Sequence, residues 1–420
     1  MIVPSIDIQD GRAVQLRRGK EFVLDGGDPL DRLEAFSVAG EVAVIDLDAA
    51  MGKGSNTDLI RRMCRLRPIR VGGGIRTLDA ALDWIDAGAA RIIVGTAATE
   101  SFCRRLPSER LIAAVDAVEG EVVVEGWQTR TGDSVLDRIE RLAPHVGGFL
   151  LTQVEWEGGL AGFDMELVRH ALARAGDARI TAAGGIRSAD DVAALDALDV
   201  DAQVGMAVYT GRLSLGEAIG AVLVRPVADR FWPTVVTDEA RRVLGLVWST
   251  RESIEAAVSE RRGIYWSRSR DEIWRKGATS GNTQVLTRVD VDCDRDALRF
   301  TVRQDGVFCH TGTRSCFGDA FDISVLERVL RSRKDKADPD SGTFKLLRDR
   351  ELLGAKLLEE AAELVEAVGS EAVTHEAADV LYFTLVALAS AGVSFEDVVR
   401  ELEFRHRRVR RRPMERKDQQ

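Results

Sequence analysis

The feature that most constrains this chain is an alternation that repeats through its first 225 residues. Short β-branched, apolar runs ("MIVPSIDI", "VAVIDLD", "IRVGGGI", "RIIVGTA", "LIAAVDA", "GFLLTQV", "RITAAGGI", "DAQVGMA") are separated by segments with helical periodicity. A βαβα series of this kind predicts a parallel sheet covered by helices, and eight strands is the number that closes a barrel. The two halves also match. "SIDIQDG" (5–11) pairs with "AVDAVEG" (114–120), "GGGIRT" (72–77) with "AGGIRS" (183–188), and "VGTAA" (94–98) with "VGMAV" (204–208). The spacing predicts a duplicated half-barrel.

In such a barrel the chemistry sits at the C-terminal ends of the strands. Gly73, Gly74, Gly95 and Thr96 in one half, and Gly184, Gly185 and Gly205 in the other, are placed to let backbone N–H groups approach a phosphate. Two such sets predict two phosphate sites across the mouth. Asp7 and Asp116 stand between them, an acid and a base suited to sugar isomerisation. The plainer alternative is that the glycines only make tight turns and the aspartates only cap helices.

Residues 1–224 resemble the phosphoribosylformimino-AICAR isomerases of histidine biosynthesis, on the strength of "PSIDIQDGRAVQL", "VIDLDAAMGKGSN", "VGGGIR", "GWQTRTG" and "LAGFD". That resemblance implies a (β/α)8 barrel carrying out an Amadori rearrangement. Asp7 would be the general base and Asp116 the general acid, with Trp127 stacked on the substrate's imidazole and Thr152 in contact with it. One stretch departs from the family: in "LTQVEWEGG", Gln153 and Glu157 stand where the family carries aspartates. This leaves open a barrel without turnover, acting as a scaffold, and a barrel that also serves tryptophan synthesis.

The composition is that of a globular protein, 45% apolar and 30% charged. A net charge of −10 argues against a nucleic-acid partner. The start "MIVPSIDIQDG" lacks a basic and an apolar leader region, and no run reads as an uninterrupted membrane span, so a cytoplasmic location is expected. Five cysteines, two of them alone (Cys64, Cys103), fit a reducing compartment, where clustered thiols point to a metal.

The remaining three cluster in "VDCDRDALRFTVRQDGVFCHTGTRSC" (291–316). If the preceding strand persists, Asp292, Asp294 and Asp296 share one face and Cys293 takes the other. Three carboxylates in a row call for a cation, and hard oxygens suit Mg2+. Cys293, Cys309 and Cys316 offer three soft thiolates for Zn2+ with a fourth position open, the catalytic pattern. Inert cysteines, or a structural zinc completed by His310, are the alternatives. Residues 226–318 resemble phosphoribosyl-AMP cyclohydrolase in "YWSRSRDEIWRKGATSGNTQ", "VDCDRD" and "CHTGTRSC". The resemblance implies the same Zn2+ and Mg2+ ligands, a zinc site shared across a homodimer, and substrate contacts from Trp274, Lys276, Ser280, Gly281 and His310.

"RSRKDKADPDSG" (331–342) reads as a linker. Helical patterns follow. Leu357, Ala361, Leu364 and Val368 form an apolar stripe with Glu360 and Glu363 on its rim, and Glu376 and Asp379 open a second helix whose apolar run (380–389) predicts burial. Four carboxylates on facing helices suit Mg2+ bridging to substrate phosphates. Residues 322–413 resemble phosphoribosyl-ATP pyrophosphohydrolase through "SGTFKLL", "LLGAKLLEEAAEL", "HEAAD" and "AGVSFEDVVREL". The basic tail "RHRRVRRRP" reads as a solvated helix end. The three implied activities are consecutive, so a nucleotide-binding, trifunctional enzyme of histidine biosynthesis is expected. An alternative is a C-terminal domain that hydrolyses other nucleotides.

Overall fold

A computed structural model describes residues 1–17, 19, 21–118, 120–124, 129–159, 162–224, 231–318, 321–335 and 340–410. Strands β1 (Ile2–Gln9), β2 (Val42–Asp46), β3 (Ile69–Gly72), β4 (Arg91–Val94), β5 (Leu111–Val118), β6 (Gly148–Gln153), β7 (Arg179–Ala183) and β8 (Asp201–Val204) run parallel. Pairing of β8 with β1 closes the ring into a barrel. These strands are apolar on both faces because helices cover them, as parallel sheets require. The helices start where polar caps dictate. Thr77 and Ser188, at equivalent places in the matched halves, each accept from the amide three residues on, and so start helices Leu78–Asp86 and Ala189–Asp196. Each half also inserts an antiparallel hairpin after its first strand: Arg12–Arg17 with Glu21–Gly27, and Glu121–Val124 with Thr129–Ser134. Arg70 fills the end of the barrel opposite the mouth, bonded to Glu41, Thr181 and Asp201.

The chain forms two compact units, one of Met1–Phe317 with the residues from Arg407 on, the other Gly318–His406. The first holds the barrel and a six-stranded mixed sheet. This sheet comprises β9 (Trp232–Asp238), β10 (Val243–Ser249), β11 (Ile264–Ser267), β12 (Glu272–Arg275), β13 (Gln284–Val291) and β14 (Leu298–Gln304), in the order β12-β11-β10-β9-β14-β13. Only β9 and β14 are parallel. Its apolar residues, among them Val236, Tyr265 and Phe300, with Ile254 of helix Arg251–Glu260, continue the barrel's cluster. Of the basic tail, residues 408–410 are exposed, as a solvated end would be, and within this unit Val409 and Arg410 also donate their backbone N–H groups to Asp86 at 3.0 and 2.9 Å. An acidic helix terminus lies close enough to capture it.

The second unit is helical: α1 (Ile323–Asp335), α2 (Gly342–Arg348), α3 (Arg350–Glu366), α4 (Ser370–Ala391) and α5 (Phe395–His406). Three expectations change here. Residues 331–335 are not linker but the last turn of α1, held by buried Leu330 and the Arg331–Glu327 pair. The apolar run of α4 is only partly buried, with Leu381 exposed, and Val368 lies beyond the end of α3, 89% exposed. By length and composition alone α4 could cross a membrane, although charged residues interrupt it, as the sequence reading had it. It packs on α1, α2 and α3 and carries three carboxylates in its first half, Glu371, Glu376 and Asp379.

Candidate active sites

Asp7 and Asp116 are each the sixth residue of an eight-residue strand, β1 and β5, diametrically placed in the ring. Ile6, Ile8 and Val115 beside them are fully buried under the helices, so by strand alternation the two carboxylates turn the other way, into the mouth. Neither caps a helix, which removes the plainer reading of these residues. Burial first, and then the charge of Glu157, pushes the Asp7 carboxyl up to about 7. Thr152 lies directly across from Asp116 in the β5–β6 register. Trp127 lies outside the described residues.

The glycines divide by purpose. A side chain at Gly73 would lie 2.2 Å from Asp46 O, and one at Gly185 1.9 Å from Gly162 O; both have positive φ, so close backbone approach alone demands glycine there. Gly74 and Gly184 are similarly hemmed in, and Gly205 abuts Ser5 and Gln15. Gly95 faces open space. Beside it Thr96, Thr99, Ser101, Arg138 and Arg141 line a cleft of about 480 Å³. Buried Arg138 holds that loop by donating to Gly95 O and Ala98 O.

The two departures in "LTQVEWEGG" have different consequences. Gln153 is buried, accepts from Asp164 N at 2.9 Å and donates to Asp164 O at 3.2 Å, so it clamps the cap of helix Met165–Ala175. An ionised Asp, having no donor, could not make both bonds. Glu157 is instead a neighbour of Asp7. Sequence reasoning saw the exchange but not this neighbour, because the two charges lie 150 positions apart in the chain. It also missed Asp46, Asp48 and Asn56, which tie the loop after β2 to the one after β1. The signal was the place of Asp46 at the C-terminal end of β2, with Asp48 and Asn56 in the segment that follows it.

In the mixed sheet β13 stops at Val291, so strand alternation does not arrange the aspartates. Asp292 closes a tight turn by accepting from the N–H groups of Asp296 and Ala297, each at 3.0 Å. The turn nevertheless brings carboxylate oxygens of Asp292, Asp294 and Asp296 within 4.8 Å of one another. The charge of Asp294, then slight desolvation and Asp292, hold Asp296 above its ordinary value. Cys309 and Cys316 are adjacent. Hydrogen bonds from Thr311 lower the Cys309 thiol to about 6, while desolvation raises Cys316. Cys293 is exposed beside Asp294 and forms no three-thiol cluster with them among the described residues. Lys276 lies near both paired thiols and 5.9 Å from the Trp274 ring. His310 Nδ1 is 3.9 Å from Cys309 Sγ. Ser280 and Gly281 sit in an exposed turn where Asn282 N donates to Ser280 and Gly281 N to Gly277.

In the helical unit Glu360, Glu376 and Asp379 bring oxygens within 4.8 Å, Glu360 being buried. Glu363 is exposed and joins them through a shared hydrogen bond with Glu376; desolvation, then Glu360 and Glu376, raise its carboxyl. Lys356 lies 3.1 Å from Glu360 and 2.9 Å from Glu359, neutralising part of the charge.

Residues 1–214 match the family described as histidine biosynthesis protein. Over 235 residues the chain is 32% identical to an imidazole-4-carboxamide isomerase of Methanocaldococcus jannaschii, covering 53% of this chain and 99% of that one. The chain belongs to the histidine biosynthesis protein family. Two further matches follow in this histidine biosynthesis chain: phosphoribosyl-AMP cyclohydrolase over 245–318 and phosphoribosyl-ATP pyrophosphohydrolase over 323–406. It is 32% identical over 347 residues to a histidine biosynthesis trifunctional protein of Neurospora crassa, covering 80% of this chain and 37% of that one. A trifunctional protein of Kluyveromyces lactis is 45% identical over 216 residues, covering 50% of this chain and 27% of that one. The chain therefore spans well under half the length of these trifunctional relatives.

Proposed function

We propose that this chain performs three consecutive steps of histidine biosynthesis: release of pyrophosphate from phosphoribosyl-ATP, hydrolytic opening of the adenine ring of phosphoribosyl-AMP, and isomerisation of the product aminoaldose to the aminoketose. The observation that carries this is the co-occurrence, in one chain, of three family matches with three matching constellations of side chains. The corresponding domains are 1–224, 226–318 and 322–413.

In the barrel Asp116 delivers the proton that opens the ring and Asp7 removes the proton next to the resulting imine. A carboxyl at about 7 is poised to accept a proton near neutral pH. Gly95, Thr96 and the loop held by Arg138 receive one substrate phosphate, and the two loops after β7 and β8, with Gly184, Gly185 and Gly205, receive the other.

The donor sets fit metals. Cys309, already low enough to be a thiolate at neutral pH, and Cys316 suit zinc, with Cys293 supplied by a second copy of the chain. Asp292, Asp294 and Asp296, and in the helical unit Glu360, Glu363, Glu376 and Asp379, suit magnesium. Zinc so held would supply a water that is nucleophilic near neutral pH, and magnesium would supply positive charge for the substrate's phosphates. Lys276 and Trp274 are placed to bind substrate next to the thiols. The homodimer is supported twice: by the separation of Cys293 from its partners, and by the exposed Leu358 (75%) and Val365 (86%) on α3. We place this dimer in the cytoplasm.

The test is a stepwise assay of the purified chain from phosphoribosyl-ATP, with and without chelator, beside metal analysis. The proposal requires all three products in order, with the first two steps lost to chelation. Failure of the isomerisation alone would make the barrel a scaffold.

A further inference from the structure

The turn that carries Asp292, Asp294 and Asp296 is braced from outside its own sheet. Arg295, between two of the three aspartates, reaches the end of the barrel opposite the mouth. Its Nε lies 2.5 Å from Asp196 Oδ2, and its Nη2 donates to Asp196 Oδ1 at 3.0 Å, with Asp199 Oδ1 at 3.5 Å. This is a two-point fork, the geometry in which arginine is most directional. The Arg295 carbonyl is held too, accepting from Val224 N at 2.9 Å. Arg295 has φ +64°, a left-handed conformation that a long side chain adopts only when its surroundings impose it. Asp196 ends helix Ala189–Asp196, is 11% exposed, and lies 99 residues away in the chain.

Three like charges on a short turn repel, and the turn's own bonds to Asp292 restrain only one of them. Within the turn the Asp296 backbone N–H is tied to Asp292, while Asp294 has only the Cys293 thiol as a hydrogen-bonding neighbour, at 4.0 Å, among the described residues. The fork and the carbonyl bond fix the backbone between these two.

We propose that Arg295 is a positioning residue: through Asp196, the closed end of the barrel holds the 292–296 turn in the shape that gathers its carboxylates around a divalent cation. This rests on the reading of that turn as a metal site. It gives the barrel a part in the neighbouring reaction that is independent of its own chemistry.

The test uses the full chain, its thiols loaded with zinc, in a Glu376→Gln/Asp379→Asn background that removes the helical carboxylate cluster. Free Mn2+ is followed by electron paramagnetic resonance during titration, and thermal melts are recorded in parallel. Asp196→Asn, far from the ligands, is expected to raise the Kd for Mn2+ about tenfold, the lower end of the loss when an outer-shell partner of a metal site is removed. Asp196→Glu, which keeps the carboxylate, is expected to restore most of it. A melt lowered by Asp196→Asn with Kd unchanged would mean that the pair is only structural, and overturns the proposal. A background chain that binds no Mn2+ would sink the metal reading itself, and this proposal with it.

Discussion

Replacing Glu157 with Gln moves the acid limb of the barrel's pH profile to lower pH. In the proposed role of base Asp7 works only when ionised, and its carboxyl is held at about 7 against an ordinary 3.8. Burial is the larger cause and the charge of Glu157 the second, so Glu157 supplies less than half. Removing that charge should lower the Asp7 value by about 0.5 to 1.5 units. At pH 6 a base with a value of about 7 is roughly one-tenth ionised; after the shift, the ionised fraction rises about three- to eightfold. The assay is kcat/KM for isomerisation from pH 5 to 9, normalised to each enzyme's plateau. An unmoved or raised limb would refute the role of Glu157, and a wild-type limb near pH 4 would refute the perturbed base. The same displacement has a stability consequence. Between about pH 4 and 7 the folded chain keeps the Asp7 proton that the unfolded chain has lost, so stability falls as pH rises through this window and levels off above it. Glu157→Gln narrows the window, so melts at pH 7 should show the variant gaining on the wild type, with no difference near pH 4.

Other outcomes follow from the same contacts. Gln153→Leu strands the backbone N–H of Asp164, whose carbonyl keeps its bond from Val168 N, and should cost about 1–3 kcal/mol, read as a lower urea midpoint with the spectrum of the native state preserved. Cys309→Ser should lose bound zinc by elemental analysis and ring opening by absorbance, and leave isomerisation at the barrel unchanged. Asp379→Asn should abolish pyrophosphate release, yet raise the melting temperature in chelator, because it removes one of the carboxylates crowded within 4.8 Å; a lowered melt would show that Asp379 is a stabilising partner instead.

The amino-acid order alone determined the architecture of the barrel and the kinds of chemistry present. Strand and helix periods, the caps Thr77 and Ser188 and the crowded turns at Gly73 and Gly185 depend on neighbours a few residues away, and the duplication printed each of these patterns twice. The sets of thiols and carboxylates were likewise legible, because ligand type is a property of the residue. Only the tertiary structure decided what each charged group faces. Strand β13 ends at Val291 because the Asp292 side chain closes a turn, α4 stays partly uncovered because its own unit supplies too few neighbours, Glu157 acts on Asp7 across the barrel, and Arg295 finds Asp196 99 residues away. Those outcomes depend on distance through space and on the water excluded from between the groups, and both exist only once the chain has closed on itself.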